Sequence, residues 1–337
     1  MDSPASLESA RTAESTARRE IHRGLQSGKL TCHSLVQQYL DRIKAYDQQG
    51  PTLNAMLYVN PKVLEQADAM DKQLKRGTKL KPLQCIPVVL KDNFDTADMP
   101  TTGASLALKG MQPTKDAFTV ARFRQNGALI LGKTNMHELA LAGLTSSSLG
   151  GQTKNPYELS RTPGGSSGGT GAALAANFAT VGTGSDTVNS IRSPASANSL
   201  VGIRPTRGLI SRAGVIPVSF TQDAAGPLAR TVADAAVMLD VMAGYDPDDP
   251  VTALGIGRIP ATYTASLDRN GLKGARIGVL RREKSACRKF HHKRPSRPLP
   301  VGHSLRFGIT TDMPTRGTLA SDHFGLADNS PSDMSVI

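Results

Sequence analysis

Apolar positions along the chain switch from a helical to a strand period near residue 85. Thr31 can cap a helix that places Leu35, Val36, Tyr39, Leu40 and Ile43 on one face. Asn60-Pro61 opens a second, with Val63, Leu64, Ala67, Met70 and Leu74 inward and Gly77 as its stop. Both are one-sided and need a surface to pack on. Ile86-Pro87-Val88-Val89-Leu90 then reads as a short apolar strand, residues 118–126 as a helix ended by Gly127, and Ala128-Leu129-Ile130-Leu131 as a strand. Residues 136–142 carry a helical pattern around His137. Gly171 to Asn177 reads as a small-residue helix and Ala179-Thr180-Val181 as a strand. Thr231 with Asp234 forms a capping box for a helix through Ala243 that Gly244 stops, and Arg276 to Leu280 reads as a last strand. Alternating strands and helices predict an α/β fold, a sheet with helices on both faces. The expected division is a helical region over 1–80 that packs on a core over 81–282, followed by a tail over 283–337.

That tail has few apolar residues and no period, and it is expected to be poorly ordered. It also explains the charge. The 337 residues carry a net +12, but residues 281–300 hold eight Lys/Arg against one Glu. Basicity confined to one late segment argues against nucleic acid as a partner of the main domain, because charge runs are usually solvated faces. The core is aliphatic, since aromatics are 4% and Trp is absent. Cys32, Cys85 and Cys287 are odd in number, far apart and without a CxxC pair. No disulfide scaffold and no zinc site is expected, and this spacing suits a reducing compartment. His291 and His292 near Cys287 are too little to define a metal site. The first residues lack an apolar core of a secretory signal, and no run is long enough to span a membrane. The expectation is a soluble cytoplasmic protein without a membrane anchor.

Three segments carry candidate chemistry. Pro163-Gly-Gly-Ser-Ser-Gly-Gly-Thr-Gly puts five glycines and two serines within eight residues. It could be a flexible linker, or a phosphate loop, although no Gly-Lys-Ser/Thr follows. It could also be a sharply bent backbone that presents a serine hydroxyl. Gly184-Ser-Asp-Thr-Val-Asn-Ser-Ile-Arg places Ser190 where a strand gives way to a loop. Lys91 ends the strand 86–90. Each alone has an ordinary reading: a turn serine, a solvated lysine. Together they fit one mechanism. A serine hydroxyl needs a base, and a desolvated lysine can be neutral enough to serve.

The segments CIPVVLKDNFDTADMPTTGAS, GALILGKTNMHELA, GGSSGG, SDTVNSIRSPAS, VGIRPTRGLISRAGVIP and TQDAAGPLARTVADAA, in this order, resemble the amidase signature family. The resemblance is to its general amidases and to the related glutamyl-tRNA amidotransferase A subunits, and runs from about residue 30 to 280. It implies a mixed, twisted sheet surrounded by helices. By motif, Lys91 would be the base, Ser166 a bridging serine in a cis peptide, and Ser190 the nucleophile. The backbone N–H groups of Thr187, Val188, Asn189 and Ser190 would form the oxyanion hole. The implied activity is hydrolysis of a small-molecule carboxamide through an acyl-enzyme, with no cofactor and no metal; a homodimer is left open. The alternatives are an inactive fragment and an amidotransferase A-type subunit. Val188-Asn189 replaces the family's usual Gly-Gly, so a different loop geometry is expected, and Cys85 stands where a glycine is usual. The resemblance stops near Arg281. The residues beyond read as out-of-frame or intron-derived, as in a truncated product.

Overall fold

The computed structural model describes residues 17–276 and the two-residue strand Ser335–Val336. Its helices are α1 (Ala17–Gln26), α2 (Cys32–Tyr46), α3 (Val63–Lys75), α4 (Phe118–Gln125), α5 (Gly168–Ala175), α6 (Arg192–Ala197) and α7 (Val232–Met242). The main sheet contains β1 (Met56–Val59), β2 (Pro87–Lys91), β3 (Leu129–Thr134), β6 (Val181–Asp186), β7 (Val201–Arg204), β8 (Ala224–Ala229) and β9 (Ser335–Val336). A separate hairpin joins β4 (Ser146–Ser147) to β5 (Gly151–Gln152).

Strand order is β1-β3-β2-β6-β8-β7-β9. Strand β2 is parallel to both β3 and β6, whereas the other neighbouring pairs are antiparallel. The parallel centre needs crossovers, and α4 and α5 supply helices between its strands. Every residue of β2, β3, β6 and β8 is buried. Burial of successive residues, whose side chains alternate between faces, means that both faces of the sheet are covered. The fold is thus the mixed α/β sheet expected from the sequence.

Local signals account for most of the helices. Thr31 and Ser34 form a reciprocal capping box at α2, and Leu35, Val36, Tyr39 and Ile43 are buried. Thr231 caps α7 by accepting from Asp234 N–H. Gly127 follows α4 at φ +83°, the left-handed conformation in which helices commonly stop.

Two expectations are corrected. Residues 136–142 are not an α-helix: a single 3-10 turn covers Glu138–Ala140, and Leu139 and Ala140 have φ of 49° and 61°. The Leu139 N–H donates to Gly103 O at 2.8 Å, so tertiary bonding overrides the local pattern. The cysteines also differ from expectation. Cys32 and Cys85 form a disulfide with Cα atoms 5.3 Å apart across 53 residues of sequence. Linear spacing carries no information about distance once α2 has folded back over the start of β2. Cys85 has φ +58°, which explains why glycine suits that position. Residues 277–280 of the expected strand and most of the tail lie outside the described residues. Ser335–Val336 pairs antiparallel with β7.

Candidate active site

Parallel strands present their carboxyl ends on one side of a sheet, where ligands characteristically bind. Lys91 ends β2, and the loop after Asp186 leaves the neighbouring strand β6 on that same side. Residues 163–172 pack against both. They are all buried, which rules out a flexible linker. The bend is tight enough to need glycine. A Cβ on Gly165 would lie 2.8 Å from the backbone of Gly143 and from Thr145 Oγ1. The Gly165–Ser166 peptide bond is cis, as the family resemblance implied.

This packing brings Lys91 and Ser166 together. Lys91 is fully buried, and its Nζ lies 2.7 Å from Ser166 Oγ, 2.8 Å from Ser185 Oγ and 3.1 Å from Ser185 O. Burial pulls the Lys91 pKa down to about 7, against the opposing pull of Asp186 and Asp223. Near neutral pH a large share of its amines therefore carries a lone pair, which an exposed lysine does not. Ser190 is nearly buried and abuts the same run, with Ser167 N–H donating to Ser190 O at 3.3 Å. Among the described residues no hydrogen bond joins the Ser166 and Ser190 hydroxyls. Catalytic hydrogen bonds are often loose before substrate arrives.

The loop 187–190 leaves its backbone donors unpaired with protein. Among the described residues, the N–H groups of Thr187, Val188, Asn189 and Ser190 donate to no protein acceptor, while their neighbours are anchored. Buried Asp186 holds one end, accepting from Ile191 N–H at 2.9 Å and from Arg192 and Arg204 side chains at 3.4 and 3.2 Å. Arg192 also donates to Val188 O. Thr187 Oγ1 donates to Asp223 at 2.5 Å, and the other Asp223 oxygen accepts from the N–H groups of Val218 and Ser219. Four donors without a protein acceptor, in a loop held by its carbonyls and flanks, are available to an anionic group or to water. Neither Val188 nor Asn189 adopts a positive φ, so their side chains are accommodated without a left-handed backbone.

Sequence reading missed Ser185, Asn93, Asp186, Asp223 and Arg192. All lie in or beside the quoted motifs, but nothing in a linear motif shows which side chains turn inward. His137, the nearest histidine in sequence, gives Ser166 O only its backbone N–H, at 3.0 Å, while its ring Nδ1 accepts from Ser146 N–H. A cavity of about 620 Å³ opens beside the site, lined in part by Ser185, Arg212, Val215, Phe220 and Asp223. No helix among the described residues is long and apolar enough to cross a membrane, and no cluster of potential metal ligands occurs among them.

Comparison with known proteins points to one family. The Amidase family model matches residues 34–293. A probable amidase of Arabidopsis thaliana is 43% identical over 275 residues, covering 79% of this chain and 53% of that protein. The A-type subunit of the glutamyl-tRNA(Gln) amidotransferase of Acidothermus cellulolyticus is also 43% identical, over 264 residues, covering 78% and 51%. The crystal structure of the native peptide amidase of Stenotrophomonas maltophilia superimposes with a TM-score of 0.76 at 47% identity, covering 80% of this chain and 56% of that one. The chain therefore spans about half the length of the relatives it matches. With a family model over most of its described residues, this chain belongs to the amidase family.

Proposed function

We propose that the chain carries the catalytic site of a serine amide hydrolase in which Lys91, Ser166 and Ser190 form a proton relay. The supporting observation is the fully buried Lys91 amine 2.7 Å from Ser166 Oγ, beside a loop of four unused N–H donors. Neutral Lys91 takes the proton of Ser166 as Ser166 takes that of Ser190. The freed electron pair of Ser190 Oγ attacks the amide carbonyl, and the carbonyl oxygen becomes an anion facing the N–H groups of residues 187–190. The relay runs backward to protonate the departing amine, leaving an acyl-serine that water hydrolyses by the same route. Losing one oxyanion donor of this kind typically costs about a hundredfold or more in rate.

The substrate class is a small or medium carboxamide, for which the adjoining cavity of about 620 Å³ has room. The peptide amidase relative makes the amide of a short peptide one candidate. A second reading is an amidotransferase A-type subunit, supported by the 43% identity to such subunits; co-purification with partner subunits would favour it. A third is that the site is present but inactive, since about half the length of the relatives is matched.

A fluorophosphonate, which phosphonylates activated serines, separates an active site from an inactive one. The native chain is expected to be labelled and Ser190→Ala is not. Equal labelling of the two removes Ser190 as nucleophile, and no labelling of either favours the inactive reading.

A further inference from the structure

Three oxygens surround the Lys91 amine, and two belong to one residue, Ser185. An ammonium has three N–H donors and no acceptor. The three oxygens therefore match the protonated form, the one created when Ser190 attacks. A neutral amine has two N–H donors and one lone pair, so one oxygen must face the lone pair through its own hydrogen. The Ser185 carbonyl can only accept, and it takes one N–H. The Ser185 hydroxyl accepts from Asn93 Nδ2 at 3.0 Å, and the same amide nitrogen donates to Ile216 O at 3.3 Å, which fixes its orientation. With its second lone pair Ser185 Oγ takes the other Lys91 N–H. In this arrangement, with the Ser185 hydroxyl hydrogen turned away from Lys91, the Lys91 lone pair is left for the Ser166 hydroxyl.

We propose that Ser185 is a positioning residue of the relay, which aims the Lys91 lone pair at Ser166 and supplies two of the three acceptors for the ammonium formed on attack. This rests on the reading of Lys91 as the base. The other charges acting on Lys91 are Asp186 at the end of β6 and Asp223 ahead of β8, while Lys133 on the neighbouring β3 is the register partner of Leu90 and pairs with Asp92 at 3.4 Å. Helix α5 brings no titratable group. Removing the Ser185 hydroxyl leaves all of these in place and deletes one acceptor of the charged form.

The test follows the fluorophosphonate labelling rate of the native chain, Ser185→Ala and Ser185→Thr between about pH 5 and about pH 9, the range that brackets the base. The alanine variant is expected to react about tenfold or more slowly, with its acid limb moved down by about one pH unit, because the ammonium has lost a charge-assisted hydrogen bond. The threonine variant keeps a hydroxyl at the same carbon and stays close to native in both respects. An alanine variant whose acid limb is unmoved or moves up overturns the proposal, whatever its rate, since a merely structural defect lowers rate without moving the limb. The nitrogen-15 titration of the Lys91 amine, read by NMR, needs no activity. A lower midpoint in the alanine variant supports the proposal, and equal midpoints overturn it. A native chain that is not labelled at all counts instead against the hydrolase reading, and the NMR midpoints still decide the role of Ser185.

Discussion

A lysine stripped of water becomes a base at neutral pH only if its surroundings do not restore the charge. Burial of Lys91 does the first, and the two nearby carboxylates limit it without reversing it, which leaves the pKa at about 7. The consequence can be measured. Only the neutral amine accepts the Ser166 proton, so the labelling rate is expected to rise with pH through about 7 and level off above it. Lys91→Ala should lose at least about a thousandfold in rate, as removal of a triad member does, along with that rise. A rate independent of pH between about 5 and about 9, or an acid limb still present in Lys91→Ala, would assign the base elsewhere. Asp186 illustrates the limits of motif reading at this scale. It sits among the residues of the nucleophile motif, yet its work is to hold Ile191, Arg192 and Arg204 so that the N–H groups before them stay free.

Elements with a strong period or a cap were legible in the sequence, as was the small-residue helix α5 to within a turn, whereas elements with turn residues or charges inside them were not. Helices α2 and α7 announce themselves by Thr31 and Thr231, and β2 and β3 by apolar runs. Strand β8 reads AAGPLA, with Gly226 and Pro227 as apparent turn signals, but it is fully buried between β6 and β7. Its strand character comes from its neighbours, and no single-chain propensity reveals it. Helix α6 contains Pro194 in six residues, and α1 buries only Ile21 in a charged stretch. The disulfide was illegible for a related reason: α2 and the start of β2 meet only in the fold. It closes a 53-residue separation, a length at which a cross-link typically contributes about 2–4 kcal/mol. Two checks follow. Thiol titration of the denatured, unreduced chain should count one free thiol of the three cysteines. Cys32→Ser should lower the melting temperature by several degrees and leave the pH dependence of labelling unchanged; three free thiols would remove the bond.

At the scale of the whole molecule, the buried lysine opposes folding. In the unfolded chain its amine titrates near 10.5, and in the fold near 7. Between these values the unfolded state binds more protons, so this group makes stability rise with pH from about 7 to about 10.5. Below about pH 7 the folded state must hold a charged, desolvated amine, and the cost reaches about 5 kcal/mol, the depressed pKa expressed as free energy. Above about pH 10.5 the cost vanishes because the unfolded amine is neutral too. Lys91→Met, which keeps a long side chain without the charge, should therefore gain stability relative to the native chain most at about pH 6, and progressively less toward about pH 10. The hydrogen bonds of the neutral amine to Ser166 and Ser185 are lost as well and offset part of this gain equally at each pH, while the extra strength of the ammonium's bonds is already contained in its pKa, so the slope isolates the titration. Lys133, also buried with a lowered pKa, is common to both proteins and cancels in the difference. Urea midpoints at a few pH values measure the effect. Parallel pH profiles for the two proteins would mean that Lys91 stays charged in the fold, and with that the base of the proposed relay would be gone.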